Sequence, residues 1–196
     1  MISRNAKVED GSLVHSSSFV WDFSVIRSKA KIGRNVTIGQ FVYVGTGVEI
    51  GENCKIQNGA YLYEPAKLND GVFIGPKVVL TNDKHPRAIN GDSSKKLPND
   101  WSLVGVTIDF GASIGAGSIC VAPLKIGKWA MIAAGSVVIQ DVPDYALVAG
   151  NPARQIGWVG ESGRRLTNLE DDKNSFYCSE TSSTYTFDGF RLIKND

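Results

Sequence analysis

The stretch KIGRNVTIGQFVYVGTGVEIGENCKIQNGA, Lys31 to Ala60, places an aliphatic residue at Ile32, Ile38, Val44, Ile50 and Ile56, one every six positions. Outward from it the step continues through Ile26, Val20, Val14 and Val8 in one direction and Leu62, Leu68, Ile74 and Leu80 in the other. Val, Ile and Leu make up 46 of 196 residues, so these thirteen consecutive hits have chance odds on the order of one in 10⁸. The position two before each hit is also restricted, reading Ala30, Val36, Val42, Val48, Cys54, Ala60, Ala66, Val72 and Val78. Two residues apart on a strand means one face. A small residue beside a larger aliphatic one suits the inside of a narrow coil whose layers stack. Glycine follows the hit at Gly33, Gly39, Gly45, Gly51 and Gly75, where a turn is expected to bend the chain sharply. A period of six does not return to one face of a 3.6-residue turn, and Val and Ile favour strands, so the unit is a short strand plus a corner.

A second run, Ile108, Ile114, Cys120, Ile126, Ile132 and Val138, keeps the period in a new phase. Between Leu80 and Ile108 lie one step of six and 22 further residues, so one excursion, about 81–107, interrupts one solenoid. The pattern resembles the hexapeptide repeat of left-handed parallel β-helix acyltransferases, in which three hexapeptides make one triangular coil. The resemblance covers roughly Val8 to Val142, and the handedness rests on it alone, because parallel crossovers are ordinarily right-handed. The expected fold is therefore all-β: a left-handed parallel β-helix with one long excursion loop and a small C-terminal β-hairpin-like tail. Residues 1–143 are assigned to the helix and 144–196 to a capping segment and tail.

With 42% hydrophobic residues and a net charge of +1, the chain can build one substantial core and gives no electrostatic case for nucleic acid. It has no run long and apolar enough to cross a membrane, and MISRNAKVEDGS lacks the apolar stretch of a signal peptide, so a cytoplasmic location is expected. Cys54, Cys120 and Cys178 show no metal-like spacing. The first two fall on repeat positions and read as small buried fillers.

After Val142, DVPDYALVAGNPAR replaces periodicity and resembles the closing segment of hexapeptide acetyltransferases. The resemblance puts Asn151, Pro152 and Arg154 near the nucleotide end of coenzyme A; a plain cap over the last coil is the other reading. The aromatic, polar-alternating tail suggests two or three short antiparallel strands. Related tails carry paired cysteines resembling a zinc ribbon, but here only Cys178 stands in the corresponding places, so no metal is expected.

The excursion begins TNDKHPRAIN, Thr81 to Asn90, with Asp100 and Trp101 further on. This resembles the nucleotide-linked amino-sugar N-acetyltransferases of O-antigen and surface-glycan pathways, and among them those acting on a 3-amino sugar. In such a reaction a neutral amine attacks the thioester carbonyl of acetyl-CoA. The site orients the amine, donates to the oxyanion and lets a proton leave. Asn82 can accept from the amine or donate to a hydroxyl, Asp83 can hold the amine or a neighbour, and His85 can take a proton at neutral pH. Each also has a structural reading: Asn82 and Asp83 as a turn, and His85, held extended by Pro86, as a solvent-facing ring. If the amine is already neutral, the departing thiolate takes the proton and His85 is dispensable. Arg87 suits a carboxylate or phosphate, or a loop ion pair with Asp92 or Asp100. Lys95 and Lys96 read as a solvated turn, with phosphate binding as the other reading, and His15 as a corner residue rather than a second catalytic ring.

Gly115–Ser118 (GAGS) and Ala133–Ser136 (AAGS) are one coil apart, so Ala116, Gly117, Ala134 and Gly135 would share a corner, where small residues let a pantetheine arm lie close to the backbone; ordinary corner packing is the other reading. The resemblance further implies acetyl-CoA as co-substrate and a homotrimer, with Phe41, Tyr43, Tyr61 and Tyr63 as apolar residues left for contacts. The expected acceptor is a UDP-linked 2-acetamido-3-amino uronic acid, with a dTDP-3-amino-3,6-dideoxyhexose as the alternative. The reading from another class is a non-catalytic or metal-binding hexapeptide trimer. A metal trimer requires three converging histidines, and this chain has two, His15 and His85.

Overall fold

A computed structural model describes residues 1–169 and 172–195. Two-residue strands recur every six positions and stack into three parallel sheets. Sheet one holds Lys7–Val8, Val25–Ile26, Tyr43–Val44, Tyr61–Leu62, Val79–Leu80, Ile119–Cys120 and Val137–Val138. Sheet two runs from Leu13–Val14 through Lys31–Ile32, Glu49–Ile50, Lys67–Leu68 and Val106–Ile108 to Leu124–Ile126. Sheet three runs from Phe19–Val20 to Met131–Ile132. Partners differ by one coil, as in Val25↔Tyr43 and Ile32↔Ile50. The result is a β-solenoid of the left-handed β-helix kind. Across the excursion the register jumps to Leu68↔Ile108 and Leu80↔Cys120, forty positions in place of eighteen, which accounts for the 22 inserted residues. Among the described residues no helix is long and apolar enough to cross a membrane.

The second residue of each strand points inward and the first outward. Ile26, Ile38, Ile56, Leu62, Ile74, Leu80, Ile114 and Ile126 have no exposed surface, and full burial of such a side chain is worth about 1.5–3 kcal/mol. The position two before them, occupied by Ala30, Val36, Ala60 or Val78, is equally buried. Where it is serine the hydroxyl is satisfied by a backbone carbonyl: Ser18 Oγ donates to Gly33 O at 2.7 Å, Ser24 Oγ to Gly39 O at 2.6 Å and Ser136 Oγ to Ala133 O at 2.7 Å.

The repeat glycines are required for a different reason from the expected bend. Gly33 and Gly115 do not have positive φ; a Cβ on Gly33 would lie 2.8 Å from Gly51 C, and one on Gly115 2.5 Å from Ala134 N. They are close-approach positions between stacked coils. The bend falls two residues later, where Asn35, Phe41 and Asn53 adopt positive φ, as does Gly117.

Parallel pairing runs on past Val142, since Ala146–Gly150 adds to sheet three through Met131↔Leu147 and then pairs antiparallel with Ala153–Trp158. Among the described residues the tail forms four antiparallel strands, Thr167–Leu169, Asp172–Tyr177, Thr184–Phe187 and Leu192–Lys194, more than the two or three expected. The last has too few residues to show an alternation in sequence. Tyr145, Leu166, Phe176, Cys178, Tyr185 and Leu192 form a second core, with Tyr145 and Tyr185 in edge contact at 5.5 Å, so the tail is packed onto the end of the coil.

Outward positions distinguish the faces. Sheet one presents Val25, Tyr43, Tyr61, Val79, Ile119 and Val137, whereas sheet two presents Lys31, Glu49, Lys67 and Lys125. Glu49 pairs with Lys31 at 2.8 Å and Lys67 at 3.2 Å, a solvated ladder. Sheet one is the apolar side.

Candidate active site

The excursion leaves sheet one after Leu80 and enters sheet two at Val106. Its neck is held by three hydrogen bonds: Thr81 N to Cys120 O at 3.0 Å, Ala122 N to Thr81 Oγ1 at 3.0 Å, and Val104 N to Asn82 O at 3.2 Å. Asn82 is therefore fixed through its backbone, half-buried at the root of the loop. Asp83 Oδ1 accepts the His85 N–H at 2.8 Å, the Asx turn that its type favours, and His85 itself is exposed.

Further out the loop folds on itself. Ile89 bridges Lys95, and Lys96 N donates to Ala88 O at 3.1 Å. Asp92 Oδ1 accepts the Ser94 hydroxyl at 2.6 Å and its N–H at 2.9 Å; these bonds, the hydroxyl's first, hold its pKa below the usual carboxylate value. Asp100 Oδ2 accepts Leu97 N–H at 2.7 Å and Asn90 Nδ2 at 3.1 Å and is likewise lowered, chiefly by the backbone N–H. Both carboxylates thus serve the loop. Arg87 Nη1 donates to Pro86 O at 2.9 Å, and no ion pair links Arg87 to Asp92 or Asp100 among the described residues.

A cleft of about 300 Å³ opens under the loop, lined by Asp83, His85, Lys96, Asp100, Trp101 and Val104. It unites Asp83 and His85 and adds Lys96, which the sequence presented as one of two solvated lysines. The turn at Ile89–Lys95 is what brings Lys96 back beside His85. Arg87 is not part of its lining. His15 is far away in chain order, on the first coil, exposed, with Nδ1 2.9 Å from Ser17 Oγ.

Ala116, Gly117, Ala134 and Gly135 share one corner, between sheets three and one. Gly135 N donates to Ala116 O at 2.8 Å, and Gly117 N to Pro76 O at 2.8 Å. Gly117 and Gly135 have φ of +68° and +72° with open space where a Cβ would stand. Beside them lies an apolar groove of about 330 Å³ lined by Phe73, Ile114, Gly115, Met131, Ala133 and Ala134. The column continues upward, since Gly150 N donates to Ser136 Oγ at 3.2 Å, which sets the Asn151–Pro152 turn above the AAGS corner. Arg154 follows, exposed, with Nη1 on Ala153 O at 2.9 Å. Six of the seven residues expected to meet coenzyme A thus fall along one edge of the coil and its capping hairpin, whereas Arg154, on the return strand, lines a separate hollow with Val138, Gln140, Asp141 and Pro143.

The loop cleft and this corner flank opposite edges of sheet one, because the corner enters the sheet at Ile119 and the excursion leaves it at Leu80. Among the described residues no group of three or more His, Cys, Asp or Glu is placed to hold a metal ion.

The bacterial transferase hexapeptide (six repeats) profile matches residues 47–82, and that for the hexapeptide repeat of succinyl-transferase matches residues 29–64. A dTDP-3-amino-3,6-dideoxy-alpha-D-galactopyranose 3-N-acetyltransferase of Aneurinibacillus thermoaerophilus is 52% identical over 61 residues, 31% of this chain and 32% of that one. Serine acetyltransferase 4 of Arabidopsis thaliana is 36% identical over 107 residues, 55% of this chain and 24% of that one. These matches thus span a third or less of the curated relatives. In structure, a UDP-N-acetylglucosamine acyltransferase from Bacteroides fragilis superposes with a TM-score of 0.64 at 21% identity, over 80% of this chain and 60% of that one. The chain thus carries hexapeptide repeats similar to those of transferases over residues 47–82 and 29–64, on a β-solenoid of the left-handed β-helix kind.

Proposed function

We propose that the protein transfers the acetyl group of acetyl-CoA to the 3-amino group of a nucleotide-linked amino sugar, as a homotrimer in the cytoplasm, in the making of a surface glycan such as O-antigen. The observation that carries this is the placement of two half-sites at opposite edges of one apolar face: the cleft beneath the excursion and the glycine corner. Within one chain, the width of sheet one separates them. When copies pack through that face in a closed ring, the excursion of one meets the glycine corner of the next. Tyr43, Tyr61, Val79 and Ile119 on the face, and the stacked, exposed Phe23–Phe41 pair at its edge, 5.1 Å between centroids, are the surface such packing covers.

In this reading the pantetheine arm lies in the groove beside Ala116, Gly117, Ala134 and Gly135, and Asn151, Pro152 and Arg154 border the nucleotide end. Arg154 supplies a positive charge for phosphate. Asn82 orients the acceptor from the neck of the loop, Asp83 holds the turn that presents His85, and Arg87, exposed and outside the cleft, meets the acceptor's anionic groups. The neutral amine attacks the thioester carbonyl, the carbon–sulfur bond breaks, and the thiolate leaves with the proton that the amine gives up. This needs no general base beyond the leaving group, and His85 assists by hydrogen bonding.

The acceptor's nucleotide is the finer point. The GWVGESGRRL tail resembles that of enzymes acting on a UDP-linked 2-acetamido-3-amino uronic acid, whereas the 52%-identical relative is named for a dTDP sugar. A 3-amino sugar is common to both. Incubating the protein with acetyl-CoA and each sugar, with free thiol followed by a chromogenic disulfide, tests the reading. Acetyl transfer to one of them is expected; coenzyme A release with neither overturns it. Light scattering at micromolar concentration tests the assembly, and a monomer refutes it.

A further inference from the structure

At the corner between sheets two and three the last two turns of the coil carry Lys128 and Asp144, brought level by the bridge Ile126↔Val142. Asp144 Oδ1 accepts the Lys128 N–H at 2.8 Å, and Lys128 O accepts the Tyr145 N–H at 2.9 Å. The Lys128 ammonium lies over the Tyr145 ring, 5.7 Å from its centroid. The last strand of the tail packs alongside, with Leu192 buried in the second core together with Tyr145. Between coil and tail a cleft of about 250 Å³ opens, lined by Lys128, Asp144, Tyr145, Arg191 and Lys194. It stands across sheet three from the glycine corner, which lies between sheets three and one.

Three cations thus converge on one cleft, and among the described residues one carboxylate, Asp144, lines it with them. The other nearby carboxylates lie outside the lining. Lys194 Nζ meets Glu161 Oε2 at 2.7 Å, and Arg191 Nε stands 3.5 Å from Asp188 Oδ2. Asp188 is occupied with its own turn, since its Oδ1 accepts the N–H groups of Phe190 and Arg191, each at 2.9 Å. The Arg191 side chain is 75% exposed, so its ion pair is weak and screened. Lys128 has no ion pair among the described residues. Like charges held together oppose the docking of tail on coil, and an anion between them reverses the sign of that interaction. Two ammonium groups and a guanidinium fork reach such an anion from two walls, which suits oxygens arranged on several sides, as in phosphate, better than a planar carboxylate.

Asp144 narrows the choice. It spends Oδ1 on the Lys128 N–H, and its second oxygen repels an anion unless that anion brings a proton. Inorganic phosphate keeps a P–OH at neutral pH; sulfate has none, and a phosphomonoester, with its second pKa near about 6, has mostly lost its own. We infer that this cleft binds inorganic phosphate: Lys128, Arg191 and Lys194 hold the charged oxygens, and Asp144 accepts a hydrogen bond from the P–OH. The bound ion ties the last turns of the coil to the last strand of the tail and stabilises the docked form.

The test is calorimetry and differential scanning fluorimetry on the full chain, with phosphate, sulfate and glycerol phosphate compared at constant ionic strength so that general screening cancels. Phosphate should bind at least tenfold more tightly than the other two, and at a hundredfold excess over Kd should raise the melting temperature by about 5–10 °C. Lys128→Gln with Arg191→Gln, both at exposed positions, should erase that shift while melting no lower than wild type in phosphate-free buffer, because the repulsion goes with the charges. Asp144→Asn, whose amide oxygen can still accept the Lys128 N–H, should bring sulfate to within about twofold of phosphate. Acetyl-CoA at saturation should leave the phosphate affinity unchanged. Equal binding of phosphate and sulfate to the wild type, a shift that survives the double variant, or competition by acetyl-CoA, which would assign the cations to the phosphates of the coenzyme, overturns the proposal.

Discussion

Gly115 and Gly117 stand two residues apart in one corner, yet alanine at each should fail differently. A Cβ on Gly115 would sit 2.5 Å from Ala134 N, 2.7 Å from Ile132 O and 2.8 Å from Ala133 C. These are backbone atoms of the next coil, which cannot rotate away as a side chain would. The Gly115 N–H is also bonded to Ile132 O at 2.8 Å, so relief requires the two coils to part. Overpacking of this kind costs about 3 kcal/mol, the upper end of its usual range. For a chain of this size about 1 kcal/mol corresponds to about 2–4 °C, so Gly115→Ala should melt about 6–12 °C lower. At Gly117 the cost is conformational: φ is +68° and a Cβ meets nothing within 4 Å. A left-handed alanine costs about 1–2 kcal/mol, or about 2–8 °C. The methyl group would, however, stand where the pantetheine arm is placed. Gly117→Ala should therefore raise KM for acetyl-CoA about tenfold while remaining folded. Differential scanning fluorimetry and initial rates at varied acetyl-CoA check both arms. A Gly115→Ala protein melting within 2 °C of wild type would refute the close-packing argument, and an unchanged KM in Gly117→Ala would remove the cofactor from this corner.

Asn82→Ala should lose about 1.5–3 kcal/mol of transition-state stabilisation, roughly 10- to 150-fold in kcat/KM; near-wild-type turnover rejects its role. His85→Asn should change turnover only a few-fold, with the acid limb of the kcat/KM profile retained because it belongs to the sugar ammonium. A hundredfold drop together with loss of that limb would make His85 the general base. Burial pushes the Cys54 thiol up to about 11 and Cys120 to about 12, so neither is ionised at pH 8 and neither should react with a chromogenic disulfide until the coil unfolds. Cys178 is raised by burial but brought down to about 7 by hydrogen bonds from Ser162, Thr181 and nearby N–H groups. At most one thiol should therefore titrate in the native protein and three in denaturant; two or more reacting natively would contradict the coil.

The coil was legible in the sequence because every decision that builds it is local. A strand of two residues, a small residue two before the aliphatic, and a bend repeat within six positions, and burial selects for the same residue types each time. The length of the excursion was legible for the same reason, as a break in phase between Leu80 and Ile108. The candidate site was legible only where it followed from the period: Ala116 and Ala134 share a corner because they are one coil apart, and Asn82 and His85 lie where the period stops. What the chain does between coils was not. The reason for Gly33 and Gly115 lies in backbone eighteen or more residues away, and the short final strand has too few residues to show an alternation. Lys96 reaches the cleft through a bridge internal to the loop. Lys31, Glu49 and Lys67 have no motif that links them, since they pair only when three sides close a turn and stack positions eighteen residues apart along one sheet. Local sequence determined which side chains enter the core; tertiary closure decided which outward ones become neighbours, because those distances depend on the stacking of whole coils and not on the chain between them.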